Sequence, residues 1–212
     1  MDGLDPLHDD LGLPADAVAI AMLPGTREDA AANAADLLDA AAAIRPAGVD
    51  PTRLRFVFAA HDRLDFAAVA SRATGWSRTA DGERLTLVAP DGAHALVVRG
   101  RFNETLAAAS LVIGMAGTAN EQAIGLGLPL IAVPSAGVQG ENYVRMKARY
   151  FGDAAVTVAR EPAAIAAAVE AILSDPAKRA RMAAAGRERM GGPGASAAIA
   201  AEVRRRLEAQ KP

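Results

Sequence analysis

The chain has 212 residues, 51% of them hydrophobic and 23% charged, enough to bury one sizeable core and too apolar for a disordered tail or a fibre. A formal charge of −2 gives no surface-wide attraction for nucleic acid or anionic lipid, so no nucleic-acid partner is expected. With no cysteine, disulfides, thiolate metal sites and cysteine nucleophiles are excluded, and three histidines are few for a zinc centre.

The amino terminus, MDGLDPLHDDLGLP, is acidic and lacks the basic-then-apolar order of an export signal. No apolar run reaches the roughly 18 residues of a membrane span, so a soluble cytoplasmic protein is expected. The first structural element is the apolar run AVAIAML (17–23), stopped by Pro24-Gly25. Thr26 is placed to cap a helix running through Ala43, with Arg27, Glu28 and Asp29 in its first turns. The strand-turn-helix pattern recurs at LRFVFAA (54–60), followed by His61-Asp62 and a helix to about Arg72. It recurs again at SLVIGM (110–115), followed by Ala116-Gly117-Thr118 and a helix to Gly127.

LPLIAVP (128–134) and AAVTVA (154–159), separated by a helix over Glu141–Phe151, complete five apolar strands alternating with helices. That alternation predicts an α/β fold, a doubly wound parallel sheet covered on both faces. Between Trp76 and Gly100 the sequence departs from it: Asp81-Gly82 and Asp91-Gly92 punctuate alternating segments, which predicts an inserted antiparallel meander. From Glu161 onward the pattern is helical, broken at Asp175-Pro176 and at Gly191–Gly194, giving two or three helices expected to clamp back across the sheet. Alanine fills either helix face and blurs the 3.6-residue period, so strand and cap signals carry these assignments.

In an open parallel sheet, ligands bind beyond the carboxyl ends of the strands, where helix amino termini present free N–H groups. Two junctions here are rich in glycine and hydroxyl residues. At Pro24-Gly25-Thr26-Arg27 the glycine permits close backbone approach, Thr26 adds a hydroxyl and Arg27 a bidentate cation. At Gly114–Gln122 small residues turn directly into a helix. Each junction taken alone is an ordinary turn with an N-cap, and neither is a Walker loop or a GxGxxG fingerprint. Their joint occurrence at two strand ends points to one crevice suited to a diphosphate.

SLVIGMAGTANEQAIGLGLPLIAVP, with AIAMLPGTRED a hundred residues upstream, resembles the carboxy-terminal half of GT-B glycosyltransferases, with lipid-A-disaccharide synthase and its relatives as the nearest match. The resemblance implies a Rossmann-like nucleotide-sugar-binding domain over residues 15–212, preceded by a linker-like segment over 1–14. It implies a UDP-sugar substrate, N-acetylglucosamine type, and no separate cofactor or metal. Gly25, Thr26 and Arg27 match the family's Pro-Gly-Ser-Arg loop at the donor diphosphate, with Arg27 implied to act on the leaving group. Gly117, Thr118 and Ala119 match its Ser-Gly-Thr-Ala loop. Where relatives place a ribose-binding glutamate this chain has Asn120-Glu121-Gln122, leaving the contact open between Glu121 and Gln122, since a helix turns about 100° per residue.

By weaker analogy Arg101, Phe102 and Asn103 stand where relatives hold the base, although Phe102 also suits a core, and Gln139 stands where relatives turn polar groups to the sugar. His61 ends a strand and suits capping or solvent contact better than the crevice; His8 and His94 carry no site signal. The family's acceptor domain, which supplies the catalytic base, has no counterpart in this sequence, so the implied partners are that domain or a homodimer mate, with any peripheral membrane acceptor reached only through it. The chain alone is expected to bind donor and transfer little. The alternatives are a UDP-sugar epimerase, disfavoured by the few histidines and crevice carboxylates, and a non-catalytic module with a degenerate site.

Overall fold

A computed structural model describes residues 11–192 and 194–209 of the chain. In chain order the elements are β1 (Val18–Leu23), α1 (Ala30–Ala43), β2 (Leu54–Ala60), α2 (Phe66–Ser71), β3 (Ser77–Ala80), β4 (Arg84–Val88), β5 (His94–Arg99), α3 (Phe102–Ala108), β6 (Leu111–Gly114), α4 (Thr118–Gly125), β7 (Leu130–Ala132), α5 (Glu141–Phe151), β8 (Ala155–Thr157), α6 (Pro162–Leu173), α7 (Pro176–Met190) and α8 (Ala195–Ala209). The strands form one sheet in the order β3-β4-β5-β2-β1-β6-β7-β8. It is the predicted α/β architecture: β5, β2, β1, β6, β7 and β8 are mutually parallel, and β3 and β4 form an antiparallel edge.

Strand pleating explains why these runs are apolar throughout. Ile20 and Met22 of β1, with Phe56 and Phe58 of β2, face Leu37 and Leu38 of α1 and Val169 of α6, all fully buried. Ala21 and Leu23 face the opposite layer, with Val112 and Ile124. A strand covered on both sides needs apolar residues at every position, and each fully buried phenylalanine or leucine contributes about 1.5–3 kcal/mol.

The meander differs from expectation in one respect. The hairpin joining β3 to β4 turns at Asp81-Gly82 and the next at Asp91-Gly92, but β5 also pairs in parallel with β2, from Arg55↔His94 to Ala60↔Arg99. It is therefore a sixth parallel strand as well as the last strand of the meander. The reason lies in its side chains: Ala95, Leu96, Val97 and Val98 are all buried, which only a strand covered on both faces permits, whereas every residue of β3 is exposed.

Two further expectations are corrected. Thr26 does not cap α1; the chain makes a turn closed by the Ala30 N–H on the Arg27 carbonyl at 3.0 Å, and the helix begins at Ala30 behind Asp29. Arg27, Glu28 and Asp29 thus stand in a loop ahead of the helix, because the Pro24-Gly25 turn, with Gly25 at φ +88°, leaves the chain pointing off the helix axis. At the other end α6 and α7 pack on the domain, but α8 buries none of its residues, with Ile199, Val203 and Leu207 all exposed, so it does not clamp the sheet. The expected linker lies largely outside the described residues, as does His8; Leu11 within it is buried against Val57 and Leu96.

Candidate functional site

The chain runs from β1 outward through β2 to β5 and then returns to the other side of β1 with β6, so the strand order reverses between β1 and β6. At such a reversal the loops leaving two neighbouring strands diverge and open a crevice. Here the strands end at the same level: Leu23 is in register with Gly114, and the Met115 N–H donates to the Leu23 carbonyl at 2.9 Å. A Cβ added to Gly25 would sit 3.8 Å from the Met115 carbonyl oxygen and 4.0 Å from Ala116 Cα. The two glycine-rich turns singled out in the sequence are in van der Waals proximity.

Between them lies a cleft of about 480 Å³. The first loop contributes Gly25, Thr26, Arg27 and Asp29; the second contributes Ala116, Gly117, Thr118, Ala119 and Gln122. Gln139 borders it from the loop after β7. The far end is formed by Ala59 to Asp62 after β2 and by Gly100 and Phe102 after β5. The size is within the range of small-ligand sites and the position is where this architecture places them.

The two loops offer different chemistry. Thr26 and Arg27 are exposed side chains with freedom to move. In the second loop α4 starts directly at Thr118 with Gly117 at the N-cap, and no side chain of its own caps it. Its first N–H groups carry the positive end of the helix dipole toward the cleft. The amide of Gln139 meets them: in the orientation that pairs both its ends, Nε2 donates to the Met115 carbonyl at 2.8 Å and Oε1 accepts from the Gly117 N–H at 2.9 Å. The Gly117 N–H is thus satisfied by a neutral oxygen in the position an anionic oxygen would take.

The sequence-derived site residues divide in two. Gly25, Thr26, Arg27, Phe102, Gly117, Thr118, Ala119, Gln122 and Gln139 are brought together around the cleft. Arg101, Asn120 and Glu121 stand outside its lining. Arg101 pairs with Glu104 at 3.3 Å, and its carbonyl accepts from Thr105 Oγ1 at 2.6 Å, which anchors the start of α3. Asn120 points down into the protein, 4% exposed, with Nδ2 donating to the Gly114 carbonyl at 3.4 Å. Glu121 turns away to an ion pair with Lys147, whose ammonium also sits 5.2 Å from the Tyr150 ring centroid. That hydrogen bond with Glu121 is the main cause of a raised Lys147 pKa. Of the two ribose candidates, only Gln122 reaches the cleft wall, as the 100° step between them requires.

Phe102 has both expected roles, half-buried against the β6–β7 side of the core and lining the cleft. His61 also lines the cleft, and its Nδ1 accepts from the Arg63 N–H at 3.1 Å, so capping and crevice placement coincide. Asp29 and Asp62 were not picked out in the sequence. Their signal was weak, since acidic residues in loops are ordinarily solvated. Among the residues lining the cleft Arg27 is the only side chain carrying a full positive charge, so any bound anion depends on Arg27 and on backbone N–H groups.

No family model and no curated protein matches the sequence. Solved structures match the fold. A protein from Listeria monocytogenes assigned as a UDP-N-acetylglucosamine 2-epimerase superimposes with a TM-score of 0.63 at 16% identity, covering 98% of this chain and 49% of that one. MnaA from S. aureus, solved with UDP, gives 0.63 at 14% identity, covering 98% and 51%. WaaG, a glycosyltransferase involved in lipopolysaccharide biosynthesis, gives 0.56 at 13% identity, covering 86% and 45%. This chain spans about half the length of these neighbours, and its fold is that of one Rossmann-like domain of the GT-B architecture.

Proposed function

We propose that the chain is the nucleotide-sugar donor domain of a glycosyltransferase, binding a UDP-sugar in the cleft between the Gly25 and Gly117 loops. The observation that carries this is their juxtaposition: Leu23 in register with Gly114, with one cleft walled by both loops. Two anion-tolerant turns side by side suit a diphosphate. Arg27 would meet it from one side, and the first N–H groups of α4 from the other. The base would lie toward Gly100 and Phe102, and Gln122 would reach the ribose. Neighbouring folds support the ligand class, since one of them was solved with UDP.

As a sugar leaves, charge grows on the diphosphate, and donors already aimed at it lower the barrier by about 3 to 4 kcal/mol each. An acceptor hydroxyl and its base would come from outside this chain, from a second domain or another protein. A sugar of N-acetylglucosamine type, and a kinship with lipid-A-disaccharide synthase, rest on the motif resemblance alone.

A second reading is favoured by one feature of the cleft. His61, Asp62 and Asp29 all line it, so titratable groups are more numerous there than the sequence implied. That is the equipment a UDP-sugar epimerase needs for proton transfer.

Calorimetry with UDP and UDP-N-acetylglucosamine tests both. The donor-site reading expects millimolar or tighter UDP binding that is lost in Arg27→Ala; no binding leaves a non-catalytic module. Isomerised or hydrolysed sugar formed by the chain without an acceptor favours the second reading over transfer.

A further inference from the structure

Each of the two loops is tied from beneath by a buried asparagine. Asn33, on the inner face of α1 and 1% exposed, donates from Nδ2 to the Pro24 carbonyl at 3.0 Å. Asn120, on the inner face of α4 and 4% exposed, donates from Nδ2 to the Gly114 carbonyl at 3.4 Å. In both, Oδ1 is buried with no hydrogen-bond partner. A buried acceptor left unpaired costs about 1–3 kcal/mol, so neither residue is explained by stability alone. An apolar residue would serve the core better at both places, because the neighbours of Asn33 are Ala30, Ala34, Leu37 and the strands beneath α1.

What both amides do is hold the carbonyl at the mouth of a strand, one at the end of β1 and the other at the end of β6, just before each turn opens to the cleft. The contact at β6 is so close that a Cβ on Gly114 would sit 2.0 Å from Asn120 Oδ1. Loop and helix are thereby locked at backbone contact. We propose that Asn33 and Asn120 are positioning residues that set the separation and orientation of the two loops, so that their donors converge on one diphosphate. This rests on the donor-site reading of the cleft. Neither residue touches the ligand; each acts through a backbone carbonyl.

The test uses the full chain with Asn33→Ala, Asn33→Asp and Asn120→Ala. Asn33→Asp keeps the side chain's shape while exchanging its donor for an acceptor, which isolates the bond to Pro24 if alanine perturbs packing. Three quantities are read: thermal midpoint, UDP affinity by calorimetry, and amide hydrogen exchange of the ligand-free protein. UDP binding is expected to weaken about five- to tenfold in each variant, the worth of one hydrogen bond. Exchange should quicken over residues 24–27 for the Asn33 variants and over 114–118 for Asn120→Ala.

The thermal midpoint should move little in the alanine variants, because removing the unpaired oxygen offsets the lost bond. A lowered midpoint with unchanged UDP affinity assigns a purely structural role and overturns the proposal, as does unchanged loop exchange. If the parent chain binds no UDP, the donor-site reading fails; faster exchange confined to the tied loop then still supports the positioning role, and unaltered exchange still refutes it.

Discussion

The two loops that meet at the cleft are built on opposite plans. After β1 the helix starts late, at Ala30, so Thr26 and Arg27 are free side chains on an open turn. After β6 the helix starts at once, at Thr118, and the loop is packed so tightly that Gly114 and Gly117 have side-chain atoms within 3 Å of where a Cβ would stand. One loop offers a mobile cation and a hydroxyl, the other fixed backbone dipoles. A binding site for a flexible anion gains from both: the rigid side defines where the charge sits, and the adaptable side closes on it.

The sharpest way to break this comparison is Arg27→Ala. Losing a charge-assisted contact is expected to weaken UDP binding about 10- to 100-fold, with unfolding unchanged because the side chain is exposed. Arg27→Lys should recover only part, since an ammonium cannot make the paired contact of a guanidinium. Equal affinities in all three proteins would mean that the open loop contributes nothing.

Glycine substitutions separate the plans next. Gly114→Ala drives a methyl into Asn120 and should lower unfolding free energy by about 1–3 kcal/mol in a urea titration. Gly25→Ala meets no atom closer than 3.8 Å, so its cost comes only from φ +88° and should be about 1 kcal/mol. A larger loss at Gly25 than at Gly114 would reverse the assignment of which loop is packed and which is open.

Within the rigid loop, Gln122→Ala should weaken UDP binding about fivefold, whereas Glu121→Ala should leave it nearly unchanged, because Gln122 lines the cleft and Glu121 is held by Lys147. Calorimetry giving the opposite order would move the ribose contact to Glu121.

The smallest effect lies away from both loops and serves as a control. Burial, and secondly the charge of Arg55, lower the pKa of His94 at the start of β5 from 6.5. The unfolded chain therefore takes up a proton at higher pH than the folded one, and stability should fall as pH drops through 6.5 toward the folded value and be fully restored above it. His94→Asn should flatten that acid-side slope in thermal unfolding while leaving UDP affinity at neutral pH unaltered.

The strand ends and the glycine-rich turns were legible in the sequence because local chemistry dictates them. Runs such as LRFVFAA and SLVIGM can only be covered strands, and Pro24-Gly25 and Gly117 can only be turns. The helix Glu141–Phe151 also lies where it was expected. Less legible was α1, whose start depends on where the Gly25 turn points the chain; Thr26 has cap chemistry but not cap geometry. The double role of β5 was hidden because a strand's two neighbours are chosen by the sheet.

Within the site, His61 and Phe102 each proved to do two things at once, which a choice between core and crevice could not anticipate. Asn33 gave one signal only, a lone amide among alanines and leucines.

Amino-acid order alone determined that this is a doubly wound α/β domain with two turns fit for an anion, since apolar runs and glycine positions are properties of short segments. Only the tertiary structure decided that those turns share one cleft, that Gln122 rather than Glu121 faces it, and that Gln139 and two buried amides hold the second and first loops in place. Those facts depend on strand order and register, which bring residues a hundred positions apart to within a hydrogen bond of each other.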